Sequence, residues 1–264
     1  MKYFQTFLKY RYLLSNLIGR DIKVKYRRSV LGILWSVLNP LLMMVVISTV
    51  FSVLFKGGKF GETNIPFHVY YLTGATVYNF ISEATSTSMM SVFTAAPLIK
   101  KVYIPKYIFP LEKCLFAFVN LLFSLIAVVI VLLASGIKFT FTMLLFPIPL
   151  LLALVFSIGL SMLLSALTVF FRDIVHIYGV FLTAWLYATP IIYPITLLEG
   201  NKKLMLIMHL NPMYYFVEFF RKVVIYNTLP NWQFTLVTVG VSLLMLVIGI
   251  LVFRQKQDKF VLYM

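Results

Sequence analysis

Glu83, Asp173, His176, Cys114 and the adjacent Arg27 and Arg28 carry the groups whose spacing decides what chemistry this chain can do. Asp173 and His176 stand three residues apart, which puts a carboxylate and an imidazole on one face of a helix. A metal centre needs further ligands close by, and a membrane-embedded glycosyl- or acyltransferase needs paired carboxylates or an Asp/His/Cys cluster. His68 and His209 are scattered, Cys114 is the single cysteine, and Glu83 stands alone in its segment. No metal site and no catalytic residue are assigned. Arg27 and Arg28 offer another chemistry, because guanidinium groups recognise phosphate by charge and by forked hydrogen bonds.

The elements that position these residues belong in a bilayer. Hydrophobic residues make up 61% of the 264 and charged residues 12%, against about 25% charged in soluble domains. The net charge of +15 raises nucleic acid as a partner, but the basic residues flank apolar runs instead of forming one soluble patch. Membrane lipids and the positive-inside rule account for that placement, and nucleic acid is set aside. A lone cysteine excludes an internal disulfide framework. No cleavable signal peptide is expected, since the first long apolar run begins near Leu31 without a small-residue cleavage pattern after it.

Crossing a hydrocarbon core takes about 20 apolar residues in a helix. Residues 35–55, 115–135, 143–171, 174–198 and 232–253 qualify, and 68–88 is a more polar sixth candidate containing Glu83. With six spans, sixteen Lys and Arg fall on the cytoplasmic side and seven outside; omitting the polar segment makes it 13 against 10. The expected fold is therefore an all-α integral membrane protein of six transmembrane helices, with both termini cytoplasmic. Residues 1–30 read as an amphipathic interfacial helix, with Tyr3, Phe7, Tyr10, Leu14 and Leu17 on one face and Lys2, Lys9, Arg20, Lys23 and Arg27 opposite.

Five stretches then appear in order: YRRSVLGILWSVLNPL (26–41), KKVYIPKYIFPLEK (100–113), TVFFRDI (168–174), TPIIYP (189–194) and NPMYYFVEFFR (211–221). Together they resemble the permease subunits of ABC-2 exporters, particularly those moving lipid-linked O-antigen, capsule or teichoic-acid polymers. The resemblance spans nearly the whole chain as one transmembrane domain, 1–264. It implies a multi-pass protein of a bacterial cytoplasmic (inner) membrane that pairs with a second copy of itself and a cytoplasmic ABC ATPase dimer. The only Gly-Lys pair, Gly58-Lys59, precedes Phe60, so no phosphate loop is present, and ATP and magnesium are expected on the partner.

On that resemblance, residues 97–113 are a cytoplasmic coupling loop, with Lys100, Lys101, Tyr103, Ile104, Lys106 and Tyr107 as its ATPase contacts, and 199–231 are an external gate region. Arg27 and Arg28 would meet the phosphate of a lipid-linked polysaccharide. Tyr78, Asn79, Glu83 and Trp185 are the expected pathway lining, with Tyr70, Tyr71, Tyr178, Tyr187 and Tyr193 as further aromatic surfaces for sugars or as an interfacial belt. Arg172 and Asp173 are read as a structural turn, and Ala153, Ser157, Ser161 and Ser165 as a small-residue packing face. Two other readings remain: an ABC-2 permease for a small drug or lipid, and the transferase, which the isolated Glu83 argues against.

Overall fold

The computed structural model describes residues 2–27, 29–54, 59–60, 65–198 and 200–263. Helix α1 (Lys2–Tyr26) forms as expected; the side chains of Lys2, Tyr3, Phe7 and Lys9 lie outside those described, and beyond them Leu14 and Leu17 are buried while Arg20, Lys23 and Arg27 are exposed. Its Leu14 and Leu17 are buried against Ile104, Ile108 and Phe109, so part of the apolar face meets protein where a headgroup layer was expected. The chain turns at Gly32, whose φ of 51° suits glycine, and α2 (Trp35–Leu54) follows with Pro40 in its second turn. Pro40 is the sixth residue of the helix and offers no N–H to the Ser36 carbonyl, which accepts from Ser124 Oγ of a later helix at 3.3 Å.

A two-residue antiparallel pair, β1 (Lys59–Phe60) and β2 (Ile65–Pro66), leads into α3 (Phe67–Met89). Short helices α4 (Ser91–Thr94) and α5 (Ala96–Ile99) precede α6 (Ile108–Ala134). The predicted 97–113 loop is thus divided: its first residues lie in α5, its last form the opening turns of α6, and 100–107 alone are irregular. A 3-10 turn, Phe141–Leu145, then leads to α7 (Pro147–Phe170).

Helix α8 (Ile174–Tyr187) has 14 residues where one run to residue 198 was expected. Pro190 and Pro194 are the reason: each lacks an N–H and restricts the residue before it. Apolar composition continues there while the helix cannot, and Ile191 is fully buried in a turn. The expected external region holds α9 (Lys202–Leu210) and α10 (Pro212–Val224), before α11 (Trp232–Lys256) and the single-turn α12 (Phe260–Tyr263). Asn201, Asn211 and Asn231 cap α9, α10 and α11 through their side-chain oxygens, each cap worth about 1 kcal/mol.

Helices α3 and α7 hold the centre. Helix α7 lies between α3 and α6 on one side and α11 on the other, and the Ala153, Ser157, Ser161 and Ser165 face is wholly buried. Cys114 of α6 donates to Ser161 Oγ at 3.0 Å, and Ser161 donates to the Ala84 carbonyl of α3 at 3.2 Å. Small side chains bring these three helices close. Segments 32–51, 108–134, 141–170 and 232–259 are long and apolar enough to cross a membrane. Helix α3 is long enough at 23 residues but more polar, and α8, with 14 residues, spans about 21 Å.

The chain's two ends of the bundle are distinguishable by what meets there. At one end α1 touches the 104–109 segment, Arg172 lies 4.4 Å from the Phe93 ring, and Phe260 meets Phe170. At the other, His68 bonds Ser135 at 2.8 Å and Tyr70 donates to the Pro190 carbonyl at 3.1 Å.

Candidate functional site

A polar cleft opens between α2, α3 and α6, lined by Pro40, Tyr71, Thr76, Asn79, Glu83, Asn120 and Ser124 among others. Glu83 Oε1 accepts from Lys25 Nζ of α1 and from Asn120 Nδ2 of α6, each at 2.9 Å. The Lys25 ammonium also lies 5.4 Å from the Phe116 ring centre. A carboxylate that would be costly against lipid is therefore matched by a cation and an amide donor. Asn79, Glu83, Ser86 and Thr87 follow each other at helical spacing, with Glu83 half-buried and the other three exposed. Most of the rest of α3 is buried, so this is a polar stripe left open along one side of the bundle.

The expected pathway residues separate into two groups. Asn79 and Glu83 share the stripe, with Tyr71 at the cleft wall. Tyr78 faces the other way, buried, its hydroxyl donating to the Leu182 carbonyl of α8. Trp185 is buried against Phe156 and Phe181, and its Nε1 donates to Asn211 Oδ1 at 2.6 Å. In this structure both serve as ties between helices. Tyr178 does the same, donating to Thr85 Oγ1 at 2.8 Å, and Tyr193 donates to the Tyr187 carbonyl at 2.9 Å.

The coupling residues also divide. Lys100, Lys101 and Tyr103 are exposed, Tyr103 to 90%. Ile104 is buried under α1, Tyr107 packs between two apolar clusters, and Lys106 donates to the Gln257 carbonyl at 2.6 Å. Burial lowers the Lys106 pKa despite the opposing pull of the Asp258 carboxylate. Inward commitments were invisible in the sequence because their partners, Leu14, Leu17 and Gln257, are far away along the chain.

Arg27 is exposed just after α1, and Arg28 lies outside the described residues. Arg20, Lys23 and Arg27, with Ser15 and Asn16, line an open groove along α1. Asp21, on the same helix, is held by Lys113 of α6 and by Arg20. Burial pushes its pKa up, but hydrogen bonds from those two cations outweigh burial and leave it lowered. Arg172 stacks on Phe93 of α4, and no ion pair joins it to Asp173 among the described residues. No group of His, Cys, Asp and Glu suited to a metal ion occurs among them either.

Arg221, one of the seven basic residues that the charge count places outside, is wholly buried within the bundle. Its Nη1 donates to the Pro190 carbonyl at 2.7 Å and Nη2 to the Tyr70 carbonyl at 3.0 Å, with the guanidinium 3.5 Å from the Tyr70 ring centre. Asn211 complements it, its Nδ2 donating to Ala188 O at 3.1 Å and Thr189 Oγ1 at 3.0 Å. The signal was available in the periodicity, since Arg221 follows Met213 by eight residues and Val217 by four, on the buried stripe of α10.

Residues 12–225 match the ABC-2 type transporter family. The chain is 29% identical over 253 residues to the O-antigen export system permease protein RfbA of Myxococcus xanthus, covering 96% of this chain and 95% of that one. Two proteins of the same name from Klebsiella pneumoniae are 26% and 24% identical, over 94% of this chain and 93% of theirs.

Proposed function

The chain belongs to the ABC-2 type transporter family, and from that premise we propose that it is the permease subunit of an ATP-driven exporter of lipid-linked polysaccharide in a bacterial cytoplasmic membrane. One observation carries this reading: the open polar stripe of Asn79, Glu83, Ser86 and Thr87 on a helix otherwise enclosed by apolar neighbours. Against hydrocarbon such a stripe costs a few kcal/mol, a penalty removed when a second copy closes over it and water fills the gap. Carboxylate, amide and hydroxyl groups in a row then exchange hydrogen bonds with successive sugar hydroxyls. The names of the three relatives favour a polymer over a small drug.

The exposed Lys100, Lys101 and Tyr103 are the contacts for a partner ATPase, which brings ATP and magnesium. The groove of Arg20, Lys23 and Arg27 is suited to the carrier's phosphate. Reconstitution with the ATPase tests the reading. Asn79→Leu combined with Thr87→Val should cut ATP-driven transfer of a lipid-linked polysaccharide into vesicles by about tenfold, a loss of about 1.4 kcal/mol in effective substrate handling. Unchanged transfer would reject the stripe as the path.

Six crossings with both termini in the cytoplasm are supported by the charge split and by meetings of helix ends that require antiparallel neighbours, Phe51 with Phe67, His68 with Ser135 and Cys114 with Ser161. Asn201→Cys and Leu229→Cys should label from outside intact cells, and Lys101→Cys and Gln255→Cys only after the membrane is opened. The native Cys114 is buried and leaves the assay clean. Labelling of Lys101→Cys in sealed cells would overturn this topology.

A further inference from the structure

The segment after α11 folds back onto the bundle. Beyond Lys256 the chain makes a 3-10 turn, and Phe260 is fully buried. Its ring meets Phe170, the last residue of α7, at 6.0 Å between centres, and Phe253 of α11 at 5.3 Å. Tyr263 stacks edge-on against the same Phe170 at 4.9 Å. The Gln257 carbonyl accepts the 2.6 Å hydrogen bond from Lys106, whose ammonium lies 5.8 Å from the Phe260 ring. Two parts of the chain 151 residues apart are thereby joined at the end of the bundle where the irregular 100–107 segment sits.

We propose that residues 257–263 and the 100–106 segment form one composite docking surface, and that the ATP-hydrolysing partner seats on both. The proposal rests on the reading above that such a partner docks at this loop. Tyr103 and Leu262 are its apolar projections, 90% and 82% exposed. Lys101 and Lys259 are exposed around them, and Asp258 is the only acid in 257–263. An acidic rim with apolar seats is the complementary partner surface.

Mechanics gives the second argument. On its own, the 104–109 segment leans on α1 through Leu14 and Leu17. Through Lys106, Gln257 and Phe260 it also bears on the ends of α7 and α11. A partner pressing on both segments therefore moves α1 and α6 together with α7 and α11, and binding free energy can bias the whole bundle. A basic, apolar face could instead lie on lipid, but lipid anchoring would not require the bond from Lys106 that locks this segment to the loop.

The test uses the assembled transporter in membranes. Tyr103→Cys, Leu262→Cys and, as a control at the opposite end, Leu229→Cys are each modified with a maleimide photo-crosslinker and irradiated. Crosslinks to the ATPase from positions 103 and 262, with none from 229, are expected. Leu262→Asp should lower ATPase co-purification by at least about fivefold without changing the permease's own melting temperature, as suits an exposed side chain. A crosslink from 103 alone, with normal co-purification of Leu262→Asp, would overturn the composite surface and leave loop docking standing. Crosslinking of 262 only to lipid would make the segment a membrane anchor and also overturn it. No ATPase crosslink from either position would remove the docking reading and this inference with it.

Discussion

Arg221→Ala should lower the melting temperature of the detergent-purified protein by on the order of 10 °C, the shift expected for a loss of about 3–5 kcal/mol in a chain of this size. The guanidinium bonds two segments distant in sequence, the Tyr70 carbonyl of α3 and the Pro190 carbonyl of the turn after α8, while covering the Tyr70 ring. Truncation removes two charge-assisted hydrogen bonds and leaves a void under an aromatic face. Tyr70 still donates to Pro190 O, so that carbonyl is not wholly orphaned and the loss stays below the worst case. Arg221→Lys should not rescue, because one ammonium cannot reach both carbonyls and stack at once. Gly74 probes the other side: a Cβ there would stand 2.5 Å from Arg221 Nη2, so Gly74→Val should mimic the loss. A melting temperature within about 2 °C of the parent for Arg221→Ala would show that α10 docks without this contact.

The sequence was most legible where physical chemistry needs no partner. Prolonged apolar runs and basic flanks pointed to membrane helices, and the polar composition of α3 drew attention to Asn79 and Glu83, which line the cleft between α2, α3 and α6. Periodicity identified the apolar face of α1, yet could not say that Ile104 and Ile108 would cover Leu14 and Leu17. In a bilayer, lipid-facing and core-facing positions are both apolar, so the usual contrast that tells inside from outside is missing. That is why Tyr78 and Trp185, chosen for their depth in apolar runs, prove to be bonded within the bundle. Hydrophobicity also ran on through Thr189–Pro194, and only the prolines warned that the helix would stop. Arg221 shows the converse: a charge count says on which side of the membrane a residue lies, not whether it is buried, and this one lies on the buried face of α10. Lys106 belongs with it, since its partner is a backbone carbonyl, which no residue type announces.

Gly249→Leu should lower both the recovery of folded protein and its melting temperature, whereas Gly240→Leu on the same helix should leave both unchanged. Helices α7 and α11 touch through their backbones: a Cβ on Gly249 would fall on the Gly159 carbonyl, and one on Gly159 would fall on the backbone of Met245 and Leu246. Neither obstacle is a side chain that can swing away, so the helices would have to separate. Buried Thr238, Ser242, Gly249 and Phe253 recur along one face of α11, so separation there loosens a long seam. Association of helices in lipid depends on such close packing, because hydrocarbon competes for apolar surface as well as protein does. Overpacking a core typically costs about 1–3 kcal/mol, and immovable backbone on both sides places this site at or above the upper end. Gly240 meets nothing within 4 Å, so the same side chain there enters open space. The comparison separates steric conflict from any general intolerance of leucine in α11. Equal yields and equal melting temperatures for the two variants, measured by size-exclusion chromatography and thermal unfolding in one detergent, would rule out glycine contact as what holds α7 to α11.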